Sequence, residues 1–339
     1  MRSLFRAVCA AAAMMFSGLM AAIPASHAAS LTPAACTVID TDFDIDDMMA
    51  IPLVIGSRYV AAIVTSEGYT MPGAGGAALA RLIADPNQRH IPVILGAASN
   101  LPRRDIVAKW GQFVLDYRAM MNKSFALMSA PLAPSPRGGD RYVKQLVSAL
   151  ADYSPVIRSK IRNVVIMGKP LRGDTSQKPG NFSFNCEYDM ASCVTAFDTQ
   201  LPGLKYFYVD PPRTAFDGNP LGQQAFVYGP TLAMVDALAD RGLPNALKQA
   251  LVGVIHDGPL GPAVQGEDYW AIDCCFKAGG KSLLWDESAA LFLLHPNIYT
   301  LAGGPGGHYE QTVLPDKFRE LWTTDTNKSI TYVETPSGR

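Results

Sequence analysis

Val38-Ile39-Asp40-Thr41-Asp42-Phe43-Asp44-Ile45-Asp46-Asp47 is the stretch on which both fold and chemistry turn. A short apolar run over 36–39 ends in five aspartates within eight residues. The run has the length and flank of a buried strand. Behind it, 46–55 carries Met48, Ala50, Ile51 and Val54 at helical spacing, so strand, acidic turn and helix follow one another. Asp46 and Asp47 suit a helix start, where carboxylates accept from free N–H groups. A cap needs one or two aspartates. Five crowded together repel one another, and a divalent cation held by oxygen accounts for the surplus.

Outward from this stretch the chain alternates. Strands are expected at 59–65, 91–95, 162–167, 205–209 and 299–302, and helices at 76–84, 141–150, 231–239, 245–254 and 288–294. Such alternation predicts an α/β fold: an open, mostly parallel sheet with helices on both faces and a Rossmann-like core. Ligands of such sheets bind beyond the carboxyl ends of the strands, where the acidic cluster stands. Segments 130–140 and 168–181 are rich in Pro and Gly and read as loops. The absence of a repeat or a linker predicts one domain over 29–339.

The 339 residues are 48% hydrophobic and 17% charged, which excludes a disordered or collagen-like chain. Twenty-nine basic residues balance thirty acidic ones, so no basic face calls for a nucleic-acid partner. Arg2 and Arg6 precede an apolar stretch over 7–23, and Ser26-His27-Ala28 places small residues at a cleavage site. Residues 1–28 are therefore expected to be a signal peptide of a secreted or periplasmic protein. The competing reading is a membrane anchor, since the apolar run approaches the length of a span. Cleavage leaves 311 residues, no membrane attachment, and the cysteines Cys36, Cys186, Cys193, Cys274 and Cys275. Five is odd, so at least one thiol has no partner within the chain, and the set is no disulfide framework.

Three readings of the cluster compete. An EF-hand counted from Asp40 needs Gly and Glu where Ile45 and Ile51 stand, and fails. A haloacid-dehalogenase-type phosphatase opens with a strand and D-x-D, which Asp40-Thr41-Asp42 fits, with Asp40 as nucleophile and Asp42 as acid/base. That pattern wants Thr or Val at Asp44 and a downstream lysine and acidic pair, for which there is no convincing candidate. The third is the nucleoside hydrolase pattern D-x-D-x-G-x-D-D, matched by Asp40, Asp42, Asp46 and Asp47, with Asp44 in place of Gly.

Further segments extend that third match. Val164-Val165-Ile166-Met167-Gly168, Gly180-Asn181, Ser183-Phe184-Asn185 and Asp189 follow in the family's order, with Ser183 replacing a glutamate. Trp285-Asp286-Glu287-Ser288-Ala289-Ala290-Leu291 through His295-Pro296 is similar to its aspartate-initiated C-terminal helix, and Ile91-Pro92-Val93 through Gly96-Ala97 to one of its strands and turn. The chain thus resembles the inosine-uridine-preferring nucleoside hydrolase family over most of its mature length. A Gly-Pro-Leu-Thr-Asn turn usual before the Met-Gly-Gly strand has no counterpart.

The resemblance implies hydrolysis of the N-glycosidic bond of ribonucleosides, with Ca2+ as cofactor and a homodimer or homotetramer as assembly. Asp42, Asp47 and Asp286 match its calcium ligands, and Asp42 its general base. Asp46, Asn185 and Asp286 match residues that bind the ribose, and Asn181 is carried with them as a substrate contact. Trp285 stands where a purine-preferring branch stacks the base, which implies a purine-leaning enzyme. A packing role for Trp285 is the alternative. The pair His256-Asp257 is followed by Gly258-Pro259 and reads as a loop. His90, His295 and His308 abut element ends or turns and read as structural. A non-catalytic secreted binding protein on the same fold is the remaining alternative, motivated by Asp44, Ser183 and the missing turn.

Overall fold

The computed structural model describes residues 31, 36–68, 70–85, 88–96, 104, 119, 162–168, 205–210, 232–251, 284–302 and 307–332. Strands β1 (Thr37–Thr41), β2 (Val60–Thr65) and β3 (Val93–Leu95) form a parallel sheet in that order. In register, Ile39 faces Ile63 and Thr41 faces Thr65. Strands β4 (Asn163–Met167), β5 (Lys205–Val209), β6 (Tyr299–Ala302) and β7 (His308–Gln311) form a second sheet, ordered β4-β5-β7-β6. Among the described strands, only the β6–β7 pair is antiparallel. The fold is the α/β, parallel-dominated one that the alternation predicts.

Parallel neighbours need crossovers. Helix α1 (Ile45–Ser57) joins β1 to β2, and α2 (Pro72–Leu82) joins β2 to β3. Helices α3 (Leu232–Asp236), α4 (Gly242–Leu251), α5 (Trp285–Leu294) and α6 (Pro315–Lys328) complete the described set, with a single 3₁₀ turn at Pro296–Ile298. Every residue from Asp47 to Ile55 is buried, because α1 is packed by α4, α5 and α6 as well as carrying β1 into β2. A helix covered on several sides needs an apolar surface all round rather than one stripe, and Met48, Met49, Ile51, Leu53, Val54 and Ile55 supply it. Pro52 has no N–H for the Met48 carbonyl, a local loss that the burial of the helix offsets.

Several elements depart from the sequence expectation. Helix α2 begins at Pro72 rather than at 76. Its start is rich in glycine, which ordinarily argues against a helix at about 1 kcal/mol per residue. Close packing explains the glycines: a Cβ on Gly76 would stand 2.5 Å from Leu95 Cδ2, and one on Gly75 3.1 Å from Phe43 Cβ. Strand β7 and helix α6 were not expected. The long charged stretch hides α6, yet Phe318, Leu321 and Trp322 recur at helical spacing behind Pro315 at the first turn. Trp322 is fully buried and donates its indole N–H to Met49 O at 3.0 Å, which locks α6 onto α1. Strand 299–302 is found as expected, but its partner is the antiparallel β7. The expected helix 141–150, the loops 130–140 and 168–181, the 1–28 segment and Cys186, Cys193, Cys274 and Cys275 lie outside the described residues.

Candidate metal and active site

Helices α1 and α5 lie side by side and point the same way. Asp46 and Asp47 sit in the first turn of α1, Asp286 in the first turn of α5. At the other end, Arg58, the C-cap of α1, donates from Nη2 to Leu293 O near the end of α5 at 3.0 Å. Two helix N-termini, each with a partial positive charge, therefore converge on one acidic cluster. The carboxylates of Asp46, Asp47 and Asp286 each place an oxygen within 4.8 Å of the others. Oxygens bound to one calcium at 2.3–2.6 Å stand at most about 5 Å apart, so the trio has the span of a hard-cation site.

Local hydrogen bonds explain how the turn holds this shape. Asp44 is the N-cap of α1: its Oδ1 accepts from the Ile45 N–H at 2.7 Å, and it shares a reciprocal capping box with Asp47. Asp47 Oδ2 accepts the Asp44 N–H at 2.9 Å, and Asp47 Oδ1 accepts the Thr41 hydroxyl in a short bond. Thr41 Oγ1 also accepts the Phe43 N–H at 2.9 Å. Phe43 is fully buried with φ +50°, a left-handed turn rare for a bulky side chain, which costs on the order of 1–2 kcal/mol. The cap role thus falls to Asp44, and Asp46 and Asp47, which the sequence offered for the helix start, form its first turn. The residue that departs from the family pattern is accounted for by helix capping, and Asp47 serves both cap and cluster.

Electrostatics follow from the crowding. Burial pushes the Asp47 carboxyl well above its ordinary range, and the neighbouring Asp286 and Asp42 push it further. Burial also raises Asp286, followed by repulsion from Asp46, Asp42 and Glu287, against a hydrogen bond from Asp47. The charged neighbours acting on both are thus carboxylates. A buried oxygen donor set that repels its own charge is one that a divalent cation neutralises. Asp40 stands on β1 behind the cluster, where Ser66 Oγ donates to its Oδ1 at 2.8 Å. Burial raises its carboxyl to about 6, with the Asp42 charge adding and the Ser66 bond opposing.

Asp46, Asp47 and Asp286 are brought together. Asp42, expected as a ligand, stands just outside that trio but within interaction range of both Asp47 and Asp286. Asp46, expected on the ribose, occupies the trio in its stead. Trp285 is half-buried at the first position of α5, beside Asp286. Asn181, Asn185, Ser183 and His256-Asp257 lie outside the described residues. Of the histidines read as structural, His295 is the C-cap of α5 and bonds Asp325 on α6 at 2.5 Å, remote from the cluster. His308 bonds Glu310 on β7 at 2.7 Å. Sequence reasoning missed Thr41, Ser66, Gly68 and Thr70, which surround Asp40, Asp42 and Asp47. Three of them come from the connection after β2, and only the parallel pairing of β1 with β2 brings it to the acidic turn.

No protein-family model matches the sequence, and no curated protein matches it. Solved structures do. A plant nucleoside hydrolase is 14% identical, over 87% of this chain and 99% of that one, with a TM-score of 0.54. The purine-preferring ribonucleoside hydrolase from Gardnerella vaginalis is 14% identical, over 87% and 99%, with a TM-score of 0.51. The type III effector protein XopQ, solved in complex with adenosine diphosphate ribose, is 14% identical, over 88% and 94%, with a TM-score of 0.54. With two helix N-termini gathered on an acidic cluster and with these likenesses, the chain has the nucleoside hydrolase fold.

Proposed function

We propose that this protein is a secreted or periplasmic, calcium-dependent hydrolase that cleaves the N-glycosidic bond of ribonucleosides, with a lean toward purines. The supporting observation is the trio of Asp46, Asp47 and Asp286 carboxylates within 4.8 Å at two convergent helix N-termini. Asp47 and Asp286 would hold the cation with Asp42, and Asp46 lies close enough to share that task. When bound, the cation supplies charge neutralisation and Lewis acidity toward oxygen ligands.

The remaining work falls to the side chains. Asp42 accepts a proton from the attacking water as general base. Asp46, Asp286, Asn185 and Asn181 orient the ribose hydroxyls. The carboxylates stabilise the positive charge that develops on the sugar as the bond to the base breaks. Trp285 presents its indole to the departing base, an apolar face that favours the larger purine. The reaction is a single displacement, related to inverting glycosidase chemistry. One domain, 29–339, carries all of these residues after removal of 1–28, and a homodimer or homotetramer is the assembly proposed.

The phosphatase reading fits less well. It needs Asp40 free to attack a phosphate, whereas Asp40 stands on β1 behind the cluster and Ser66 Oγ already donates to its Oδ1 at 2.8 Å. The deciding experiment measures release of free base from inosine, adenosine and uridine, with ADP-ribose and an aryl phosphate alongside, with and without chelator. Chelator-sensitive base release is expected. Turnover of the aryl phosphate alone would establish the phosphatase. Binding of nucleoside without turnover would establish a binding protein.

A further inference from the structure

We infer that the connection between β2 and α2 is a built seat for Asp42, with Gly68 and Thr70 as positioning residues. Gly68 leaves the room: a Cβ there would overlap Asp42 Oδ2 and stand 2.5 Å from its Cγ. No side chain other than hydrogen fits against the carboxylate in its present position. Thr70 supplies the second point, since its hydroxyl donates a short hydrogen bond to the Asp42 backbone carbonyl. Gly75 leaves the Thr70 hydroxyl its room, because a Cβ there would stand 2.6 Å from Thr70 Oγ1. A third contact closes the seat where the Ser66 N–H donates to Thr41 O at 2.8 Å, extending the β1–β2 ladder to the turn.

Carboxylate and carbonyl of one residue are thus met from one neighbouring segment. An acidic turn left to itself would splay, because its charges repel. The seat sets the direction of Asp42 before any ligand arrives, which is the preorganisation that metal and catalytic groups require.

This inference rests on the proposed role of Asp42 at a calcium site, and its test separates the two. Calcium affinity is measured by titration calorimetry on the full mature chain and on Gly68→Ala, Thr70→Val and Thr70→Ser, with circular dichroism confirming the fold. Loss of such a supporting contact costs about 10–100-fold in metal affinity, and that loss is expected for Gly68→Ala and Thr70→Val. Thr70→Ser keeps the hydroxyl and is expected to keep the parental affinity. A parent that binds calcium with Gly68→Ala and Thr70→Val variants that bind it equally overturns the seat and leaves the functional reading standing. A Thr70→Ser variant as weak as Thr70→Val overturns the hydroxyl's part in it. A parent that binds no calcium overturns both.

Discussion

Asp40→Asn should stabilise the chelated protein, and should do so more at neutral than at acid pH. Asp40 is half-buried near Asp42, and desolvation raises its carboxyl from 3.8 to about 6. The folded protein therefore keeps the Asp40 proton up to about pH 6, whereas the unfolded chain releases it near 3.8. Between those values the folded state binds more protons, so the stability from this group is full below 3.8 and is lost as pH rises through about 6. The raised affinity for the proton corresponds to about 3 kcal/mol. Partial exposure of Asp40 reduces this to about 2 kcal/mol. Asparagine keeps an oxygen to accept from Ser66 Oγ and carries no charge. The gain should be about 2 kcal/mol at pH 7.5, or about 3 °C in Tm, and about a third of that at pH 4.5. Urea denaturation of both proteins in chelator at the two pH values reads it directly. A neutral or destabilising substitution at pH 7.5, or an equal gain at both, would refute the idea that the buried charge of Asp40 is a cost.

Three other outcomes are expected. Asp42→Ala should abolish calcium binding and base release together, as measured by calorimetry and by assay; retained activity would take Asp42 out of both roles. Trp285→Ala should lower kcat/KM on inosine or adenosine by roughly ten- to hundred-fold, more than on uridine, since base–aromatic stacking contributes roughly 1–3 kcal/mol. Calcium affinity should not change there, and an equal loss on both base classes would make Trp285 a packing residue. Asp44→Ala removes a buried N-cap and should destabilise by about 1–2 kcal/mol in chemical denaturation; an unchanged midpoint would show that the capping box adds nothing.

The sequence alone determined the parts that depend on local chemistry. Short apolar runs became strands at 205–209 and 299–302 with the expected bounds, because aromatic and other apolar residues fit a pleated, half-buried surface. The acidic run was legible as a candidate site because five like charges in eight residues repel one another. Asp286 could be tied to it only through the order of resembling motifs. What tertiary structure decided is which of those charges do what. The same residue type caps a helix at Asp44, accepts from a serine at Asp40 and joins the trio at Asp46, and only the neighbours distinguish them. Those neighbours come from elsewhere in the chain: Ser66, Gly68 and Thr70 by parallel pairing of β1 with β2, and Asp286 by the packing of α5 along α1. Such contacts leave no periodicity at the sites they join. The glycines of α2 teach the same lesson, since their signal argues for a loop while the space they leave beside Phe43 and Leu95 makes them fit a helix. Backbone propensity is written in the sequence one residue at a time, whereas clearance and charge are properties of pairs that only folding creates.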